Sequence, residues 1–283
     1  MSFFREIPFV TANWLAGQLE NPKIKVVDGS WHLPPTGRTG SKEYAEAHIP
    51  GAVFFDLDAN SDTQSDLPHM LPGAELFADR VGKLGISEQD TIVVYDQLGL
   101  FSAPRVAWMF RLYGAGDVRI LEGGLPAWRA ENRPVTSEVP QHAPARFTAA
   151  RNDRQVADFA RVNAALRDGS AQIVDARPAP RFRGDAPEPR PGVRAGHMPG
   201  SRNLPFDQVV QGGKLRSPEE IRAAMDKAGI DPARPIVTSC GSGVSAVIIA
   251  MAMAQAGTEV EAIYDGSWAE WGSRHDLPIA TGD

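Results

Sequence analysis

The chain has 283 residues, 42% hydrophobic and 23% charged, the balance of a soluble globular protein with apolar mass for one large domain or two ordinary ones. A net charge of −6 argues against nucleic acid or an anionic membrane as the main partner. One cysteine excludes an intramolecular disulfide and a thiolate metal cluster, and residues 1–11 show no signal-peptide pattern, so a reducing cytoplasm is the expected setting.

In chain order, Thr11 is placed to cap a helix over 11–19, ahead of an apolar strand at 24–28. Residues 73–84 read as a helix leading through a Gly-Ile pair to a strand at 91–96. Residues 139–152 carry two prolines and no helical or strand period, so they read as a linker between a first domain (1–138) and a second (153–283). Asp153 opens a predicted helix with apolar residues at Val156, Phe159, Val162 and Leu166, followed by a strand at 173–175. A helix over 217–228, a strand at 236–239 and a buried helix over 246–254 complete the chain; that last run is too short to span a bilayer. Alternating strands and helices predict α/β domains with mostly parallel sheets flanked by helices.

The two halves repeat each other at an offset of roughly 145 residues, a period that means duplicated domains rather than a solenoid. Val26-Val27-Asp28 matches Ile173-Val174-Asp175, and His48-Ile49-Pro50-Gly51 matches His197-Met198-Pro199-Gly200. Residues 121–128 match 264–271, and Asp96 stands where Cys240 stands. Features found in both halves belong to the fold, so His48 and His197 read as structural. A feature of one half only can carry chemistry, and Cys240 is such a feature.

Cys240 ends an apolar strand and opens the short loop Cys240-Gly241-Ser242-Gly243-Val244-Ser245-Ala246 before a helix. Such a turn aims several N–H groups and the positive end of a helix dipole at one place. A free thiol is only a few per cent ionised at neutral pH, and this surrounding favours its anion. A buried inert thiol is the alternative. A cysteine phosphatase needs an arginine at the sixth position after the cysteine, where this chain has Ala246.

With that loop, the chain resembles the tandem rhodanese-domain sulfurtransferases, in the 3-mercaptopyruvate branch, over almost its whole length. The family's loop reads Cys-Gly-Ser-Gly-Val-Thr-Ala; Ser245 replaces the threonine and keeps the hydroxyl. Phe54-Phe55-Asp56-Leu57-Asp58, His69-Met70-Leu71-Pro72-Gly73, Arg181-Phe182-Arg183-Gly184, Pro187-Glu188-Pro189-Arg190 and Asp265-Gly266-Ser267-Trp268 extend the likeness.

The resemblance implies two rhodanese-like domains, an inactive first and a catalytic second. It also implies sulfur transfer from 3-mercaptopyruvate through a Cys240 persulfide to a thiol, cyanide or thioredoxin-like acceptor, with pyruvate released. Asp58, His69 and Ser242 match positions that handle protons around the thiol. Arg181 and Arg190 match a carboxylate clamp, and Gly241, Gly243, Val244 and Ser245 the loop that binds the sulfur. Gly241 and Ser242 supply no cation, which favours a monocarboxylate donor over the thiosulfate dianion. Thiosulfate sulfurtransferase activity and a non-catalytic rhodanese-like binding module are the alternatives. For Arg181 and Arg190, ordinary ion pairs to Asp185 and Glu188 are the competing reading. Arg177 reads as an ion-pair partner of Asp175, while Arg183 and Arg194 carry no assignment. Trp31 and Trp268 are candidates for pocket walls or for core. No metal or cofactor is expected.

Overall fold

The structure, a computed structural model, describes residues 3–282. In the first half the elements are β1 (Phe9–Val10), α1 (Ala12–Ala16), β2 (Ile24–Asp28), α2 (Gly40–Glu46), β3 (Val53–Phe54), α3 (Ala74–Lys83), β4 (Thr91–Tyr95), α4 (Ala103–Leu112), β5 (Asp117–Leu121) and α5 (Gly124–Ala130). The second half holds β6 (Val156–Ala157), α6 (Phe159–Asp168), β7 (Gln172–Asp175), α7 (Ala179–Arg183), β8 (Arg202–Asn203) and a hairpin of β9 (Val210–Gln211) and β10 (Lys214–Leu215). It continues through α8 (Pro218–Lys227), β11 (Ile236–Ser239), α9 (Ser245–Gln255), β12 (Ala262–Tyr264) and α10 (Ser267–Trp271).

Each half builds one five-stranded sheet with the same order, β1-β5-β4-β2-β3 and β6-β12-β11-β7-β8. All pairings inside the two sheets are parallel. Parallel strands covered on both faces have to be apolar on both faces. Ile92, Val93, Val94 and Tyr95 of β4 are accordingly fully buried. The shared histidines clasp equivalent corners. His48 stacks on Tyr44 and donates from Nδ1 to its carbonyl, and His197 does the same with Phe182.

Two predicted helices are corrected. Thr11 does cap α1, accepting the Trp14 N–H, but the helix stops at Ala16, where the Gly17 N–H closes on the Asn13 and Leu15 carbonyls. The helix predicted from Asp153 begins only at Phe159, capped by the Asp158 side chain on the Arg161 N–H. Val156–Ala157 instead forms an edge strand on β12. Residues 139–152 contain no helix or strand; Phe147 is buried against Phe77 and Phe110, and the Ala150 and Asn152 amides bond to Tyr113 and Leu112 carbonyls.

The halves meet through their central helices, α4 and α9, which pack on each other inside one continuous core. Residues 246–254 of α9 are all buried, as a helix apolar on every side must be. Each such large aliphatic side chain contributes about 1.5–3 kcal/mol by leaving water. The junction is therefore core, unlike the more polar contacts of loosely docked domains. It also fixes the start of α9 against residues of the first half. Among the described residues no helix is long and apolar enough to cross a membrane.

Candidate active site

β11 lies centrally in its sheet and delivers Cys240 at its C-terminal end, the place where open parallel sheets bind ligands. The thiol-bearing residue is 1% exposed and lines a pocket at the junction of the two halves. Gly241, Ser242, Val244 and Ser245 line it from the loop, Trp31 and Phe101 from the first half, and Arg181, Arg190 and Phe206 from the second.

The loop is held from behind. The Cys240 N–H donates to Ser267 Oγ at 3.2 Å, and the Cys240 and Gly241 carbonyls accept from Trp268 and Ala269 N–H at 2.9 and 2.8 Å. Gly243 sits at φ +77°, and a Cβ there would lie 2.9 Å from Arg105 Nη1, so the turn needs glycine. Among the described residues, the N–H groups from Gly241 to Ala246 have no protein acceptor. The first half shows the same turn filled. Asp96 Oδ1 accepts the Leu98 N–H at 2.9 Å, and Oδ2 accepts those of Phe101 and Ala103 at 2.7 and 2.9 Å. A carboxylate there occupies its own anion cradle.

Ser242 joins the loop to the first half. Its Oγ lies 2.8 Å from His69 Nδ1, across 173 residues of sequence, and His69 Nε2 lies 2.9 Å from Asp58 Oδ1. A carboxylate can only accept, so Nε2 carries the proton and Nδ1 accepts from the Ser242 hydroxyl. The other Asp58 oxygen accepts from Trp31 Nε1 at 3.1 Å, and the Trp31 ring stands edge-on to the imidazole at 4.6 Å. Burial lowers the His69 pKa below its ordinary 6.5, against the opposing hydrogen bond and charge of Asp58. The hydrogen bond from His69 holds the Asp58 carboxyl below the usual range. Asp58 keeps 68% of its side chain in solvent, so the chain Ser242–His69–Asp58 runs from the pocket to water.

The arginines divide. Arg177 is buried and bonds to Asp175, Glu188 and the Gly196 carbonyl. Arg181 faces the pocket but bonds to Glu188 through Nε and Nη2. Arg190 has no hydrogen-bonded protein partner among the described residues. Desolvation lowers its pKa, while the charges of Cys240, Asp58 and Glu188 favour the cation. Arg194 caps the chain end by donating to the carbonyls of Gly272, Arg274 and Leu277. Trp31 walls the pocket; Trp268 is core, under the Arg177 guanidinium at 4.4 Å.

Cys240, Gly241, Ser242, Val244, Ser245, Arg181 and Arg190 thus line one cavity, with His69 and Asp58 behind Ser242 and Gly243 behind the loop. Glu188, which the sequence offered as an ion-pair partner of Arg181, is shared between Arg181 and Arg177, whereas Phe101 and Phe206 as apolar walls and Arg105 had no assigned role in the sequence reading. The available signal for Arg105 was a charge inside the otherwise apolar stretch 103–110 of α4.

Known proteins resemble this chain over most of its length. The rhodanese-like domain family matches twice, at residues 11–131 and 158–274. The 3-mercaptopyruvate sulfurtransferase of Escherichia coli K12 is 42% identical over 272 residues, covering 96% of this chain and 97% of the relative. The human enzyme of that name is 44% identical over 269 residues, covering 93% and 91%. The crystal structure of SseA from Escherichia coli superposes with a TM-score of 0.86 at 39% identity, covering 93% of this chain and 99% of that one.

Proposed function

Because the chain belongs to the rhodanese family and carries the domain twice, we propose that it moves sulfur from 3-mercaptopyruvate through a persulfide on Cys240, releasing pyruvate. The Cys240 thiolate attacks the donor sulfur, the S–C bond breaks, and its electron pair becomes the enolate of pyruvate. The donor's S–H proton is then needed at carbon. If the persulfide stays anionic, the half-reaction neither takes up nor releases a proton.

The observation that carries this reading is the hydrogen-bonded chain from Ser242 to His69 and Asp58, ending beside the cysteine. Thiosulfate needs no protonation at carbon when its S–S bond breaks, so such a chain has work to do only with a carbon-bound sulfur. Ser242 hands the proton over, His69 in the neutral form exchanges it, and Asp58 fixes the tautomer and steadies the imidazolium. The N–H groups of the Cys240 loop hold the thiolate and then the persulfide. Arg190 binds the donor carboxylate, with Arg181 as the second arm, since a guanidinium matches a carboxylate in bidentate fashion.

A thiol, cyanide or the thiol of a thioredoxin-like protein then removes the outer sulfur and regenerates the thiolate. The reaction belongs in a reducing cytoplasm. Thiosulfate is a slower donor at the same cysteine, because the two arginines attract any small anion. Side-by-side rates of pyruvate and sulfite formation test the choice. Pyruvate release from 3-mercaptopyruvate should be the faster; a faster thiosulfate reaction overturns the donor assignment, and no turnover with either returns the chain to a binding module.

A further inference from the structure

Arg105 belongs to α4, in the domain without the cysteine, and its side chain is fully buried. A guanidinium taken out of water needs several oxygens arranged around it. Nη2 donates to the His69 carbonyl at 2.6 Å and to Asp265 Oδ1 at 2.7 Å, and Nη1 reaches the Gly243 carbonyl at 3.4 Å. The Trp108 ring closes one side, 4.6 Å from the guanidinium carbon.

These partners flank one bond. His69 and Ser242 meet at 2.8 Å. Arg105 holds the backbone of His69 itself and of Gly243, the residue after Ser242. His69 has φ +61°, a left-handed conformation that a residue with a Cβ keeps only when its surroundings impose it. Asp265 completes the hold: its second oxygen accepts the Leu71 N–H at 2.9 Å, two residues beyond His69. Ser267, two residues after Asp265, receives the Cys240 N–H. One buried ion pair thus ties the imidazole segment of the first domain to the cysteine loop of the second.

We propose that Arg105 is a positioning residue for sulfur transfer: by holding the main chain of His69 and Gly243 against Asp265, it keeps the imidazole in register with Ser242. The domain that lacks the nucleophile thereby sets proton delivery at the nucleophile of the other. The proposal rests on the proton relay described above. A displacement of about 1 Å in a relay can cost on the order of a hundredfold in rate, and a single ammonium cannot reproduce the fork that reaches three oxygens in different directions.

Arg105→Lys in the full chain tests this with three readouts. With 3-mercaptopyruvate, kcat should fall by about tenfold or more. KM should stay within about twofold, because Arg181 and Arg190 are untouched. The rate of Cys240 alkylation by iodoacetamide should also stay within about twofold, since the loop keeps its contacts with Ser267, Trp268 and Ala269. An unchanged kcat overturns the proposal. So does a fall in kcat accompanied by a raised KM and slower alkylation, which marks a merely structural ion pair. Asp265→Asn, which keeps an acceptor for the Leu71 amide, should give the same split and decides the question if the lysine variant does not fold. Failure of the unaltered chain to release pyruvate refutes the sulfurtransferase reading instead, so the two failures are distinguishable.

Discussion

Asp96 and Cys240 stand at one and the same point of the two repeats: the Asp96 carbonyl accepts the Leu125 N–H at 3.0 Å, and the Cys240 carbonyl accepts the Trp268 N–H at 2.9 Å. The side chains then diverge. Asp96 spends its charge on three N–H groups of its own loop, whereas the N–H groups of 241–246 have no protein acceptor among the described residues. In Asp96→Asn an amide replaces one accepting oxygen and points N–H at N–H. Hydrogen bonds to a charged group are each worth about 1.5–3 kcal/mol, so chemical denaturation should show a loss of about 2 kcal/mol. The folded variant should keep its activity, because Asp96 does not line the Cys240 pocket.

Arg190 and Arg181 should not contribute equally. Arg181 already shares Glu188 with Arg177, while Arg190 has its guanidinium available beside the cysteine. Arg190→Gln should raise KM for 3-mercaptopyruvate by about 10–100-fold, the equivalent of one charge-assisted pair. Arg181→Gln should raise it less. Steady-state kinetics with both donors check this, and a larger effect at Arg181 contradicts the order.

The pH dependence follows from His69. Its pKa is lowered, chiefly by burial, so the imidazole stays neutral to below its ordinary 6.5. The proposed relay uses the neutral ring, so activity should hold as pH falls through 6.5 and decline only at more acidic values. Asp58→Asn removes the group that raises the His69 pKa. The acid limb should then move to still lower pH while kcat drops. A limb above 6.5 in the unaltered chain contradicts the assignment.

Gly243 tests the turn itself. An alanine there must adopt φ +77° and place its Cβ 2.9 Å from Arg105 Nη1 and 3.1 Å from the Asp265 carbonyl. The conformation alone costs about 1–2 kcal/mol. Gly243→Ala should therefore lower both thermal stability and kcat; an active, equally stable variant contradicts the close packing at this loop.

The repeat made the fold legible. Strands at 24–28 and 173–175 and helices at 73–84 and 217–228 recur at matching places in both halves, and the matching sheets bear out the repeat. The start of α6 was not legible, because Val156 fits a helical period as well as a strand, and only pairing with Ile263 decides it. At the site, the strand-loop-helix pattern singled out Cys240, while the role of Ser242 came from family likeness. His69 and Asp58 came from family likeness alone, since no local pattern foretells a bond across 173 residues. Arg105 was hidden for the same reason: its partners, His69, Gly243 and Asp265, come from three separate segments.

The sulfur-carrying role of Cys240 is tested most directly by intact-protein and peptide mass spectrometry after one equivalent of 3-mercaptopyruvate, with no acceptor present. The mass of one additional sulfur on the Cys240 peptide, formed together with pyruvate and absent in Cys240→Ser, is the predicted result. Pyruvate released at an undiminished rate by Cys240→Ser, or an unmodified Cys240 peptide alongside pyruvate formation, would contradict it.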